Sequence, residues 1–158
     1  AAFPPGNLGG NKTTCVILTV MYSTHKNGDI GLTKIMADIV AQGYQVLLPV
    51  SGHLSFDLVV YNNGKFYRVQ AKFRAKNSKG CIDAQARKHV SYVRGKNKFA
   101  QCKNDIDIMA IYCPDTDTCY YVNADQFDQG VWIRLNPHTS KRQYPGLDVM
   151  SLKKLKLG

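Results

Sequence analysis

Glutamate is missing from this chain, so every carboxylate role in its 158 residues falls to one of eleven aspartates. Acids are scarce overall: 21 lysines and arginines leave a net charge of +10 and a sequence pI near 9.5. The five cysteines, at positions 15, 81, 102, 113 and 119, contain no CxxC pair and no zinc-finger spacing, which argues against a structural zinc site. Their odd number, without a convincing secretory signal, suits a reducing cytoplasm, with Cys113 and Cys119 expected as small core residues. Long apolar runs are absent too. The segment CVILTVMY, Cys15 to Tyr22, falls far short of the roughly 20 apolar residues that span a bilayer, so no membrane partner is expected. No internal repeat, glycine-rich phosphate loop or serine–histidine nucleophile arrangement is present.

What the chain does have is a hairpin signal of unusual content. FDLVVYNNGKFYRVQAK, Phe56 to Lys72, places Asn63-Gly64 between two apolar runs, the signature of a two-residue type I′ turn. In that register Asn62 faces Lys65, Tyr61 faces Phe66, Val59 faces Arg68 and Asp57 faces Gln70. Because side chains alternate along a strand, Asp57, Gln70 and Lys72 share one face. A hard divalent cation wants oxygen ligands, which Asp57 and Gln70 can supply. A phosphodiester under attack wants nearby positive charge, which Lys72 can supply. An ordinary polar strand face is the alternative, but Val59, Tyr61 and Phe66 lie on the same face and make a half-buried site the better expectation.

Charge is polarised along the chain. Lys65 to Lys103 holds twelve lysines and arginines and one acid, Asp83, whereas Asp105 to Asp128 holds six acids and no base. Arg74, Lys76, Lys79, Arg87, Lys88, Arg94, Lys96 and Lys98 follow the hairpin closely and are candidates for contacts with a nucleic-acid polyanion. Phe73, Tyr92 and Phe99, interleaved with them, fit base stacking but are more commonly core residues in strands.

A helix is expected from Gly28 to Gln42, where Ile30, Ile35, Met36, Ile39 and Val40 recur at helical spacing and Gly43 supplies a stop. Asp29 then opens the helix, a position that favours an acid as cap or first-turn residue. Tyr44 to Val50 reads as a buried strand, Ser51 to Ser55 as a turn with a solvated His53, and Asn77 to Gly80 as a loop. Cys81 to Tyr92 is ambiguous between helix and strand. Arg94 to Lys98 reads as a basic turn, Ile106 to Cys113 as a buried strand with Cys119 to Val122 its partner, Val131 to Leu135 as a strand, and Asn136 to Gly146 as a loop.

From Lys26 to Val122 these residues resemble the PD-(D/E)XK nuclease superfamily, in particular its small endonucleases related to group I intron-encoded homing enzymes. KNGDIGLTKIMADIVAQGYQVLLPVSGHLSFDLVVY resembles the opening helix, first strand and metal-binding strand, YRVQAK the motif strand, and DIDIMAIYCPDTDTCYYV the strand pair that follows. Two departures stand out. Gln70 occupies the place of the second carboxylate, and a serine–phenylalanine pair precedes Asp57 where the superfamily name has proline. A neutral amide oxygen is a weaker ligand than a carboxylate, which makes two tightly held metals harder to support.

The resemblance implies a single α/β domain with a restriction-endonuclease-like core, a mixed β-sheet flanked by helices. Residues 24–135 would form the nuclease domain and 136–158 its C-terminal extension, while 1–23, beginning AAFPPGNLGG and outside the resemblance, reads as a leader or N-terminal extension, native or not. It further implies a site-specific double-strand DNA endonuclease using Mg2+, with Mn2+ able to substitute. Asp57, Gln70 and the Ala71 backbone carbonyl would hold the metal, Lys72 would act on the attacking water, and Asp29 would join through water. One site cuts one strand, so a homodimer or homotetramer on double-stranded DNA is expected. The alternatives are a Holliday-junction resolvase, a restriction or repair nuclease, and a non-catalytic DNA-binding protein with a degenerate metal site.

Overall fold

Asn63 and Gly64 have φ of 48° and 84°, the paired left-handed conformations that a type I′ turn requires. The strands leaving it, β2 (Leu58–Asn62) and β3 (Lys65–Phe73), pair Asn62 with Lys65, Tyr61 with Phe66 and Val59 with Arg68, as the turn dictates. In this computed structural model the structure describes residues 12–93, 96–135 and 153–157. The expected loop from Asn136 to Gly146 therefore lies outside the described residues, as does most of the segment expected to form a C-terminal extension.

The hairpin belongs to a five-stranded mixed sheet of order β1-β2-β3-β7-β8, with β1 at Gln45–Leu47, β7 at Ile108–Cys113 and β8 at Thr118–Asn123. The central β3–β7 pair is parallel, with Val69 opposite Ile108 and Phe73 opposite Tyr112. A parallel neighbour needs a crossover, and here it is built from strands: β4 (Cys81–Gln85), β5 (Arg87–Val93) and β6 (Lys96–Gln101). β4 pairs with β9 (Gly130–Arg134), and β5 with β6.

Alternation along the strands divides the core in two. Val69 of β3, Leu58 and Val60 of β2, and Ile108 and Ala110 of β7 turn toward the helix α1 (Lys12–Ala41), where Ile35 and Ile39 are fully buried. Met109, Ile111 and Cys113 turn the other way, with Tyr120 and Val122 of β8, and meet Ile82, Ala84, Val131 and Ile133 of the β4–β9 pair. Among the described residues this second face is thus covered by a β-ladder. Leu155 also reaches the helix-side core; its carbonyl accepts from the Tyr44 hydroxyl at 3.2 Å and its N–H donates to Gln42 at 2.8 Å.

Several expectations are corrected. α1 begins at Lys12, so Asp29 lies well inside a 30-residue helix and caps nothing. Gly28 had suggested a start, but a single helix glycine costs only about 1 kcal/mol and is tolerated. Gly31, by contrast, has a packing reason: a Cβ there would stand 3.0 Å from the Phe73 Cβ at the end of β3. The run Tyr44 to Val50 contains only the three-residue β1, which is an edge strand, so Leu47, Leu48 and Val50 are exposed. Cys81 to Tyr92 resolves into two strands. The expected basic turn shrinks because β6 already starts at Lys96, and Arg94 lies outside the described residues.

Candidate active site

Asp57 sits where β2 runs out of ladder. Its N–H donates to the Val69 carbonyl at 2.9 Å, and its Oδ2 then accepts the Ala71 N–H at 2.7 Å, a bond that would otherwise fall to the next rung. In a strand the N–H and C=O of one residue point to the same neighbour, so the Ala71 carbonyl is aimed to the side that β2 has vacated. Oδ1 of Asp57 takes no hydrogen bond from a described residue. The residue is open to solvent, yet its carboxyl lies in a crowded recess. Burial pushes its pKa above the ordinary carboxylate range, opposed by the Ala71 N–H and by Lys72 and Lys88.

Gln70 is the buried polar side chain on the same face, 3% exposed. Its Nε2 donates to the Ser55 carbonyl at 3.0 Å and to the Cys102 sulfur at 3.0 Å. A backbone carbonyl can only accept, so this pair of bonds fixes which end of the amide is nitrogen. Oε1 is then left buried with no partner. An unsatisfied buried oxygen costs about 1–3 kcal/mol, and such orphans in native structures call for a missing donor or cation.

Lys72 extends from the next position on this face, and its Nζ donates to the Arg87 carbonyl at 3.0 Å. Burial lowers its pKa; Asp57 opposes that effect, while Arg74 and Arg87 add to it. Those cations with Lys88 form a positive rim. Lys88 donates to the His53 carbonyl and so ties the 51–55 turn to β5. Arg74 is itself depressed by burial and by Arg87.

The three residues Asp57, Gln70 and Lys72 therefore converge, on the half-buried face expected for them, although the turn end of that face is open, with Phe66 64% exposed. Asp29 stays apart. It is exposed on α1, across the sheet from the Gln70 face, and among the described residues no hydrogen bond or ion pair joins its side chain to the others. Its helix nevertheless meets β3 at Gly31 and Phe73, just beyond Lys72. Of the expected polyanion contacts, Lys76, Lys79, Arg87 and Lys98 are exposed, and Arg74 and Lys88 are half-buried around the site. Lys96 lies in β6, and Arg94 is outside the described residues. Phe73 packs in the helix-side core, whereas Phe99 is 48% exposed.

The donor set fits a hard cation. Asp57 Oδ1, Gln70 Oε1 and the Ala71 carbonyl are all oxygens, and the orphaned Oε1 gains a partner if a cation is held there. Among the described residues no group of three His, Cys or Asp side chains can hold a metal, so the site carries one carboxylate charge and suits one ion better than two. Sequence reasoning missed the supports: the carbonyls of Ser55, His53 and Arg87, and Cys102. Backbone carbonyls leave no residue-type signal, and Cys102 gave only its identity.

Comparison with known proteins gives a match of family and a likeness of fold. The PD-(D/E)XK endonuclease family model matches residues 22–147. Among solved structures, the bacterial homing endonuclease I-Ssp6803I aligns with a TM-score of 0.58 at 23% identity, over 77% of this chain and 82% of that one. That likeness is one of fold. No curated protein matches the chain.

Proposed function

The chain belongs to the PD-(D/E)XK endonuclease family, and from that premise we propose that it is a divalent-metal-dependent, site-specific endonuclease cutting both strands of duplex DNA, in the manner of a homing enzyme. The observation that carries this reading is the buried, partnerless Oε1 of Gln70 on the same face as Asp57 and Lys72. The homing character is supported by the solved neighbour's fold and description, and DNA as substrate by the family and the positive rim.

Asp57, Gln70 and the Ala71 carbonyl would hold the ion, magnesium with manganese able to substitute. When bound, the ion supplies Lewis-acid stabilisation of charge on the scissile phosphate. The chain's own residues do the rest. Burial lowers the cost of an uncharged Lys72 amine, which suits it to orient the attacking water and take its proton. In its protonated state the same group opposes charge developing on phosphorus. Arg74 and Lys88 draw the backbone toward the site. Asp29, beside the exit of β3, is assigned an outer role through water.

Each site cuts one strand, so two copies are needed for a double-strand break, as a homodimer or homotetramer. The test is sequencing of ends released from genomic DNA by the full chain, with magnesium or with chelator, beside Lys72→Ala. Magnesium-dependent ends at one long site, lost in the variant, are expected. Ends only at branched DNA would instead indicate a junction resolvase. Confirmed duplex binding with no lysine-dependent ends would overturn the reading in favour of a non-catalytic binder.

A further inference from the structure

β5 and β6 form a two-stranded sheet of their own, joined to no other strand among the described residues. Between Arg87 and Gln101 the sequence holds five lysines and arginines and no acid. Pairing of Arg87 with Gln101 and His89 with Phe99 puts Arg87, His89 and Phe99 on one face, while Lys88 and Lys98 fall on the other. Lys88 reaches back to the His53 carbonyl, which anchors its face to the body at that end. On the Arg87 face Arg87, His89 and Phe99 are exposed; on the other, Lys98 and Ala100 are exposed while Lys88 is half-buried.

On that face the Arg87 guanidinium lies over the Phe99 ring, 4.4 Å from its centroid, and His89 meets the same ring edge-on at 5.6 Å. No described acceptor takes a hydrogen bond from the guanidinium. An arginine so held loses less freedom when its planar fork engages a target, and its donors stay available. The irregularity at Val90, between His89 and Ser91, is a bulge of the kind that increases local twist and re-aims neighbouring side chains.

We propose that the β5–β6 ribbon is the sequence-reading element, entering the major groove with its Arg87–Phe99–His89 face toward the bases, and that Arg87 reads guanine. The proposal rests on the endonuclease reading above and deepens it. A major groove about 12 Å wide admits a two-stranded ribbon, whose strands lie about 4.8 Å apart. Arginine is the side chain whose fork matches guanine O6 and N7. The ribbon is also tied to the cutting site, because the Arg87 carbonyl accepts from Lys72 Nζ. Reading and cutting are thereby set at a fixed spacing.

The test selects bound duplexes from a randomised library with the full chain, using calcium in place of magnesium, and sequences them. The wild type is expected to enrich a motif containing guanine, and Arg87→Ala to lose about tenfold or more of the discrimination at one or two adjacent positions, the rest unchanged. His89→Ala, equally exposed, should alter a position beside them. An unchanged motif in Arg87→Ala, a uniform weakening at all positions, or no motif in the wild type would overturn the proposal; uniform weakening would mark a phosphate contact. Cutting is assayed separately. A selected motif that Arg87 controls, in a chain that never cuts, would remove the nuclease reading and leave the ribbon's role standing.

Discussion

The hairpins β2–β3 and β5–β6 are of opposite character. β2–β3 is built into the middle of a five-stranded sheet, with Leu58, Val60 and Val69 fully buried and Gln70 and Lys72 gathered with Asp57 at the end away from the turn. Among the described residues β5–β6 pairs only with itself, and it leaves Arg87, His89, Phe99 and Lys98 in solvent. Reacting groups need positions fixed to a fraction of an ångström, which packing on both faces supplies. Groups that meet a substrate surface need access and tolerate change, which an isolated ribbon supplies. The two are joined by the Lys72 bond to the Arg87 carbonyl and the Lys88 bond to the His53 carbonyl, so one hairpin can be altered with the other as internal control.

The comparison breaks most sharply at Lys72. Lys72→Ala is expected to lower the cutting rate by about a thousandfold, the scale of a lost general base, while leaving duplex affinity within a few-fold. Lys98→Ala on the ribbon should do the reverse, cutting at a near-normal rate once bound but with a salt slope shallower by about one charge. Single-turnover cleavage and binding at two or more salt concentrations separate the two. Equal effects on both quantities from both variants would erase the division of labour.

Gln70 tests the site hairpin by itself. In Gln70→Glu the carboxylate cannot donate to the Ser55 carbonyl, so that bond at 3.0 Å becomes a contact of two oxygens without a proton, while the Cys102 bond survives only if the thiol turns its own proton to the carboxylate. A loss of about 2 kcal/mol is expected in chelator, about 5 °C in melting temperature, and most of it should return with magnesium. Equal melting of variant and wild type in chelator would show that those bonds do not anchor the amide.

The site hairpin was largely legible because its information is local. Asn63-Gly64 sets the turn, the turn sets the register as far as Leu58 opposite Val69, and the next residue, Asp57, then meets β3 at Val69 and Ala71. β7 was legible for a related reason, since a strand buried on both faces is apolar throughout. The rest depends on partners far along the chain. Ile82 pairs with Ile133, and Gln70 is held by Cys102, neither of which any window around those residues contains. Cys81 to Tyr92 was ambiguous because its two strands belong to different sheets, and Tyr44 to Val50 was misread because edge and centre differ only in neighbours. Asp29 was drawn to the site by resemblance to other proteins; it is exposed on α1, on the side of the sheet away from Gln70.

A smaller effect is expected at the junction between the parallel strands. Asp107 accepts from the Arg68 N–H at 2.7 Å, from Nε at 3.1 Å and from Nη2 at 2.9 Å, and its own N–H donates back to the Arg68 carbonyl at 2.8 Å. Arg68 holds the Asp107 carboxyl below the usual range. Such a carboxylate contributes stability at pH values above its unfolded value, about 3.9, and loses it as pH falls through the depressed folded value. Arg68 is 42% exposed, so screening keeps the contribution to about 1 kcal/mol. Asp107→Ala should thus melt a few degrees lower at pH 7, with the gap to wild type closing below about pH 4. A gap independent of pH would assign the loss to packing.

The smallest effect belongs to the ribbon. Val90 stands at the bulge, 59% exposed and without a cross-strand partner, so replacing it removes little buried apolar area and no ladder bond. Val90→Ser should shift stability by less than about 0.5 kcal/mol, the scale of surface substitutions. Val60→Ser in β2, at a position fully closed to solvent, removes buried methyls and buries a hydroxyl, for an expected loss of about 2–3 kcal/mol. Chemical denaturation of the two variants side by side checks the pair. A Val90 loss as large as that of Val60 would mean that the ribbon is packed against something in solution, and the exposed Arg87 face would then need another explanation.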